Sequence, residues 1–290
     1  MDYQGAHLIR PPSEADSIIL QVTVGCSHNH CTFCGTYKEE RFRLKEEAVI
    51  AADLEFAARY CRRQNRIFLA DGDVLILPQA RLVALLTAIR GKLPWVRRVN
   101  LYANAKAVHS KTPAQLAELK ELGLDRVYLG VESGHNPTLA TIRKGSDAAG
   151  LLTAGRAVRE AGLFLSVTVL LGIAGREDSL AHAEATGRLL AAIAPNQIGI
   201  LTLILLPNTP LFADAQAGRF TMPDQRGLLE ELRLMLAPLT ASRCQLQSNH
   251  PSNYLTLDGR LPRDHAAMLA LIDQALAGQI NLRSETHRAL

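Results

Sequence analysis

Apolar, β-branched runs of strand length recur along the chain, at 17–24, 66–71, 97–103, 126–132, 163–171 and 197–206. Each is near-continuously hydrophobic rather than alternating, the pattern of parallel strands buried on both faces. Between them, segments at 46–63, 78–90, 113–122, 148–161 and 178–193 place apolar residues at helical spacing. Parallel neighbours need crossover connections, so six strand-plus-helix units in series predict an α/β fold. Six units fall short of the eight in a closed barrel, and the expectation is an open, partial (βα)6 TIM-like barrel with its functional face at the carboxyl ends of the strands. Gly123 and Gly162 follow two of the helical segments, as expected of left-handed helix stops.

After the sixth unit, residues 243–261 become rich in Ser, Asn, Pro and Gly before a final helical segment over 263–276. The expectation is one domain over residues 1–290, with a core at about 17–240 and a closing loop and helix at 241–290. No repeat or low-complexity tract marks a second domain.

Composition changes this picture little. Of 290 residues 48% are hydrophobic, enough for a sizeable core. Thirty-two basic against 28 acidic residues give +4, compatible with anionic ligands without implying nucleic acid. Arg41-Phe42-Arg43 and Arg62-Arg63 read as solvated faces. The longest apolar runs are about half the roughly 20 residues a membrane helix needs, so no membrane partner is expected. The start has no basic region followed by an apolar one, and five cysteines are too few and uneven for a disulfide framework, so a reducing cytoplasm is the expected compartment.

Candidate chemistry gathers directly after the first strand, in Gly25-Cys26-Ser27-His28-Asn29-His30-Cys31-Thr32-Phe33-Cys34-Gly35. Three thiols within nine residues let one loop wrap a metal centre, and soft thiolates select zinc or iron with sulfide. A four-iron cubane held by Cys26, Cys31 and Cys34 leaves one iron open to a ligand. Zinc completed by His28 or His30 is the competing reading, since structural zinc prefers four protein ligands. A position at the carboxyl end of a barrel strand favours the active-site reading. Cys61 and Cys244 form no second pair and read as ordinary thiols.

These residues resemble the radical S-adenosylmethionine (radical SAM) superfamily, whose signature is Cys-x3-Cys-x2-Cys with an aromatic residue before the third cysteine. Phe33 fits that position, whereas four residues rather than three separate Cys26 from Cys31. Further matches follow strand ends in order. Asp71-Gly72-Asp73 lies where the family has a Gly-Gly-Glu-like turn that meets the methionyl amino group, and Asn104 where relatives place a polar group against the cofactor; a turn-forming Asn is the alternative. Gly130-Val131-Glu132-Ser133-Gly134, with Leu139 and Arg143, is similar to the cofactor-gripping segment of oxygen-independent coproporphyrinogen oxidases and methylthiotransferases. By that resemblance Glu132 and Ser133 face the ribose or amino group and Arg143 the carboxylate; a Glu132–Arg143 ion pair is the alternative. Thr168 stands where relatives often carry Asp, and Gly172-Ile173-Ala174-Gly175 resembles the turn that meets the adenine.

The resemblance implies a 4Fe-4S cluster and S-adenosylmethionine as cofactors. It also implies reductive cleavage to a 5′-deoxyadenosyl radical, an electron donor such as flavodoxin or ferredoxin, and hydrogen abstraction from a substrate. Without a recognisable RNA-binding or auxiliary-cluster module, a small-molecule substrate is expected. Ser248, Asn249 and His250 are the substrate-side candidates, His250 as a proton carrier near neutral pH. Tyr102 and the Pro207-Asn208-Thr209-Pro210 turn are further wall candidates. An RNA-modifying radical SAM enzyme and a non-catalytic iron-sulfur or zinc protein are the alternatives.

Overall fold

The computed structural model describes residues 1–289. Its elements alternate strand and helix along the chain, and they group into two compact units described separately below.

The first unit comprises Met1–Asn29, Thr36–Leu129 and Ala157–Leu165. Its strands β1 (Ile18–Gln21), β4 (Arg66–Ala70), β5 (Arg98–Ala103) and the first part of β6 (Leu124–Glu132) pair in parallel in that order. The expected first strand is divided: after Val22 the chain leaves the parallel ladder, and β2 (Thr23–Val24) pairs antiparallel with β3 (Arg43–Leu44). Helices α1 (Glu47–Tyr60), α2 (Gln79–Lys92), α3 (Ala105–His109) and α4 (Pro113–Glu121) make the crossovers. The start of α4 is encoded locally: Pro113 needs no amide partner, and Thr112 and Gln115 close a capping box. Gly123 follows with φ +104°, the left-handed stop expected there. Burial of Ile67, Phe68, Leu69, Val99, Leu101 and Val127 explains the near-continuous apolar strands.

The second unit comprises His30–Gly35, Gly130–Arg156 and the residues from Ser166 onward. It holds α5 (Asn136–Thr141), most of α6 (Ala148–Glu160) and most of β7 (Phe164–Leu171), which pairs in parallel with β8 (Gln197–Thr202). Helices α7 (Ser179–Ile193), α8 (Pro210–Gln216) and α9 (Gln225–Leu236) follow. The expected closing loop is more regular than its composition predicts. Its residues form β9 (Gln245–Gln247), parallel to β8, and β10 (Asp258–Arg260), antiparallel to β9, before α10 (His265–Leu276). Backbone pairing with β8 supplies regularity that Ser, Asn and Pro do not signal. Of the expected closing segment 241–290, the last residue lies outside the described residues. No helix among the described residues is long and apolar enough to cross a membrane.

Candidate active site

In the first unit, Gly25 turns the chain after β2 with φ +78° and delivers Cys26 to a half-exposed position. A Cβ on Gly72, in the turn after β4, would lie 3.1 Å from Cys26 Cβ and 2.9 Å from Tyr37 Cε2. Only glycine fits this approach, so Asp71-Gly72-Asp73 is set against the cysteine loop. Asn29 lies within the four-residue spacer with φ 40°, and its Nδ2 donates to Tyr37 O at 2.6 Å.

Asp71 and Asp73 flank Gly72, both fully buried. Tyr37 Oη donates to Asp71, while Asn104 Nδ2 donates to Asp73 Oδ2 at 2.7 Å and Ser27 Oγ also donates to Asp73. Burial pushes each carboxyl up to about 6, against the hydrogen bonds that favour ionisation. Asn104 also caps α3, its Oδ1 accepting from Ala107 N at 2.8 Å. It therefore fulfils the local turn role and orients Asp73 as well. Tyr102 stacks edge-on with Phe68 and Tyr128, at centroid distances of 5.1 and 5.8 Å.

In the second unit the rest of the cysteine loop is pinned by its backbone. Thr32 N donates to Ile142 O at 2.9 Å, and Leu211 N donates to Thr32 O at 3.0 Å. Asn208 Nδ2 donates to Gly35 O at 2.8 Å, and a Cβ on Gly35 would strike Asn208 Oδ1 and Leu206 Cδ1. Asn208 of the Pro207–Pro210 turn and Leu211 just after it thus hold the backbone on both sides of Cys34. The sequence marks the turn, but its grip on a loop about 170 residues earlier is visible only in the fold. Cys31, Phe33 and Cys34 are half-exposed, and Thr32 is buried.

Thr32 Oγ1 is enclosed without a hydrogen-bond partner, beside two thiols. A buried hydroxyl in that state leaves a donor for a sulfur acceptor, and three half-exposed thiols are a soft donor set. By donor chemistry these residue types suit an iron-sulfur cluster. Among the described residues no three His, Cys, Asp or Glu side chains stand grouped around a metal position.

At the end of β6, Glu132 has φ +62° and is buried. It pairs with Lys144, Nζ to Oε1 at 2.9 Å. The reason is local. Arg143, with φ +53°, occupies the left-handed position after α5; its N donates to Ala140 O and Lys144 N to Leu139 O. That reversal points Lys144 at Glu132 and leaves the Arg143 side chain exposed. Gly130 leaves room for the pair, since a Cβ there would lie 2.9 Å from Lys144 Nζ.

Ser133 is fully buried, its Oγ 2.8 Å from His182 Nδ1, and His182 Nε2 lies 3.1 Å from Leu170 O. A carbonyl only accepts, so the network assigns the ring proton to Nε2 and directs the Ser133 hydroxyl to Nδ1. On β7, Thr168 is half-buried and in register with Gly199. Gly172 and Gly175 have φ +79° and +72°. Gly172 N donates to Glu231 Oε2 at 2.7 Å, and Ser179 Oγ donates to Glu231 Oε1 at 2.7 Å. Nothing in the sequence singles out His182 or Glu231, since each reads as one more helical residue.

The substrate-side candidates are held within their own segment. Ser248 is fully buried and exchanges backbone bonds with Leu257, and its Oγ has no hydrogen-bond partner. Asn249 Nδ2 donates to Asp258 Oδ2 at 3.1 Å. His250 Nδ1 accepts from Ser252 N at 3.1 Å, and burial with the nearby Arg283 holds its basicity below the usual range. Neighbouring Asn253 donates to Ile200 O at 2.7 Å and accepts from Thr202 Oγ1, which ties the segment to β8.

A profile of the radical SAM superfamily matches residues 20–186. No curated protein matches the chain. Among solved structures, methylornithine synthase is similar at 16% identity and a TM-score of 0.54, over 77% of this chain and 62% of its own. A radical S-adenosylmethionine methyltransferase from Kitasatospora setae, with cobalamin and a [4Fe-4S] cluster bound, is similar at 21% identity and 0.57, over 71% and 41%. Coproporphyrinogen III oxidase from Escherichia coli is similar at 16% and 0.57, over 78% and 52%. This chain therefore spans about two fifths to three fifths of their lengths. At these identities the likeness shows the fold alone, the α/β partial-barrel class that the patterning predicts.

Proposed function

The chain belongs to the radical SAM superfamily, whose cofactors are a 4Fe-4S cluster and S-adenosylmethionine, and from that membership we propose that it is an enzyme abstracting hydrogen from an organic substrate. When bound, these cofactors supply the electron and the 5′-deoxyadenosyl radical that no side chain can provide. Cys26, Cys31 and Cys34 bind three of the irons. Gly72 opens the backbone of the turn after β4 to the methionyl group, and Asp73, oriented by Asn104 and Ser27, holds negative charge for its ammonium. Glu132, steadied by Lys144, contributes to the ribose side, and Arg143 is the candidate for the carboxylate. Thr168 and the Gly172–Gly175 turn form the adenine side. His250, with Asn249 and Ser248, moves a proton on the substrate side. A flavodoxin or ferredoxin supplies the electron.

The observation that carries this reading is the packing of Gly72 against Cys26, which puts the turn after β4 beside the cysteine loop. Anaerobic reconstitution tests it: iron and sulfide are counted, S-adenosylmethionine and a strong reductant are added, and 5′-deoxyadenosine is measured. About four irons per chain and product formation are expected, with product abolished by Cys26→Ala, Cys31→Ala or Cys34→Ala. A chain that holds only zinc, or that loads the cluster and yields no 5′-deoxyadenosine, overturns the reading.

A further inference from the structure

The first unit carries a second surface, at the amino-terminal ends of its strands and so away from the turns after β4 and β5. Arg66 opens β4 and Arg98 opens β5. Arg97 N donates to Asn65 O at 2.8 Å, joining the two strand entries. A cleft of about 260 Å³ is lined by Asn65, Arg66, Arg97 and Arg98. An adjoining cleft of about 340 Å³ shares Asn65 and Arg66 and adds Arg63, with Asp16 on its wall. Arg62 extends the face, its guanidinium 4.4 Å above the Trp95 ring. Five arginines from two stretches of the sequence thus share one face. Of the carboxylates near this face, Asp125 is shared by Arg98 at 3.8 Å and Lys120 at 3.2 Å, and Glu55, which precedes Phe56, pairs with Lys92.

The helix that leads into Arg62 and Arg63 carries an exposed aromatic pair near its end. Phe56 and Tyr60, one turn apart on the last turns of α1, are 42% and 70% exposed, with ring centroids 4.7 Å apart. Two residues after Tyr60 the chain reaches Arg62 and Arg63. Like charges repel when gathered, so a face of this kind is complementary to an extended anion. An enclosed small-phosphate site does not fit, because Arg62, Arg63, Arg97 and Arg98 are exposed and such sites bury most of their ligand. Guanidinium forks for phosphates next to ring faces for bases are what single-stranded nucleic acid requires.

We propose that this face binds single-stranded nucleic acid, phosphates on Arg63, Arg66, Arg97 and Arg98 and bases on Phe56 and Tyr60. The inference goes beyond the radical chemistry and does not depend on it. Sequence spacing shows only isolated arginine pairs; the strand register brings them together.

Anaerobic fluorescence anisotropy of the reconstituted full chain against a labelled single-stranded RNA of mixed sequence tests it. Saturable binding that weakens with salt is expected. Arg63→Glu/Arg97→Glu/Arg98→Glu weakens it by about tenfold or more and flattens the salt slope by roughly 0.7 for each phosphate no longer neutralised. Phe56→Ala/Tyr60→Ala weakens it by about thirtyfold or more while leaving the slope unchanged. An unchanged melting temperature shows the variants folded, and glutamine replacements substitute if charge reversal unfolds the chain. Three results overturn the proposal: no saturable binding at low salt, binding displaced by polyglutamate and indifferent to the ring replacements, or binding to anionic vesicles in place of RNA.

Discussion

His182 and Glu231 are both fully enclosed in the second unit, and burial moves them in opposite directions on the pH scale. Burial pulls the His182 imidazole down to about 4, against its bond to Leu170 O. Between about 6.5 and 4 the unfolded chain binds a proton that the folded chain refuses. Stability from this site is therefore full above 6.5 and is lost as pH falls toward 4, by about 3 kcal/mol. Burial pushes the Glu231 carboxyl up to about 7 against bonds from Ser179 and Gly172. Its contribution is complete below 4.5 and lost as pH rises to 7. Urea unfolding across pH should show Glu231→Gln removing the loss on the alkaline side, while His182→Gln removes the loss on the acid side. Neither residue is marked in the sequence, because each shift arises from neighbours far along the chain.

Among the elements, glycines separate what local sequence encodes from what packing imposes. Gly91 lies inside α2 with nothing within 4 Å of the place for a Cβ. Gly91→Ala is expected to raise stability by about 0.5–1 kcal/mol in chemical denaturation. Gly134, after β6, meets α7 instead: a Cβ there would lie 2.7 Å from Ala185 C and 2.8 Å from Thr186 Cα. Backbone cannot step aside, so Gly134→Ala should cost about 1–3 kcal/mol or more in the same measurement. The stops at Gly123 and Gly162 are legible from position alone and have φ of +104° and +74°. The tight fits of Gly134 and Gly35 are not, since Ala185 and Asn208 supply the walls. Likewise β9 and β10 leave no sign in the sequence, because their regularity comes from pairing with β8 rather than from β-branched residues.

For the whole molecule, cofactor binding and folding should be linked. The cysteine loop is tied by backbone bonds to Ile142 and Leu211, so a cluster bound there favours the folded chain. Thermal unfolding under anaerobic conditions should show the loaded chain melting above the apo chain, with that difference absent when all three cysteines are alanine. Six buried parallel strands, their crossover helices and a three-thiol loop at a strand end were determined by the sequence alone, because apolar periodicity, glycine stops and thiol chemistry act over a few residues. Long-range geometry decided the rest. That Lys144 meets Glu132, that Asn208 holds Gly35, and that scattered arginines become one face all depend on where the folded backbone carries each side chain, and no local pattern records that.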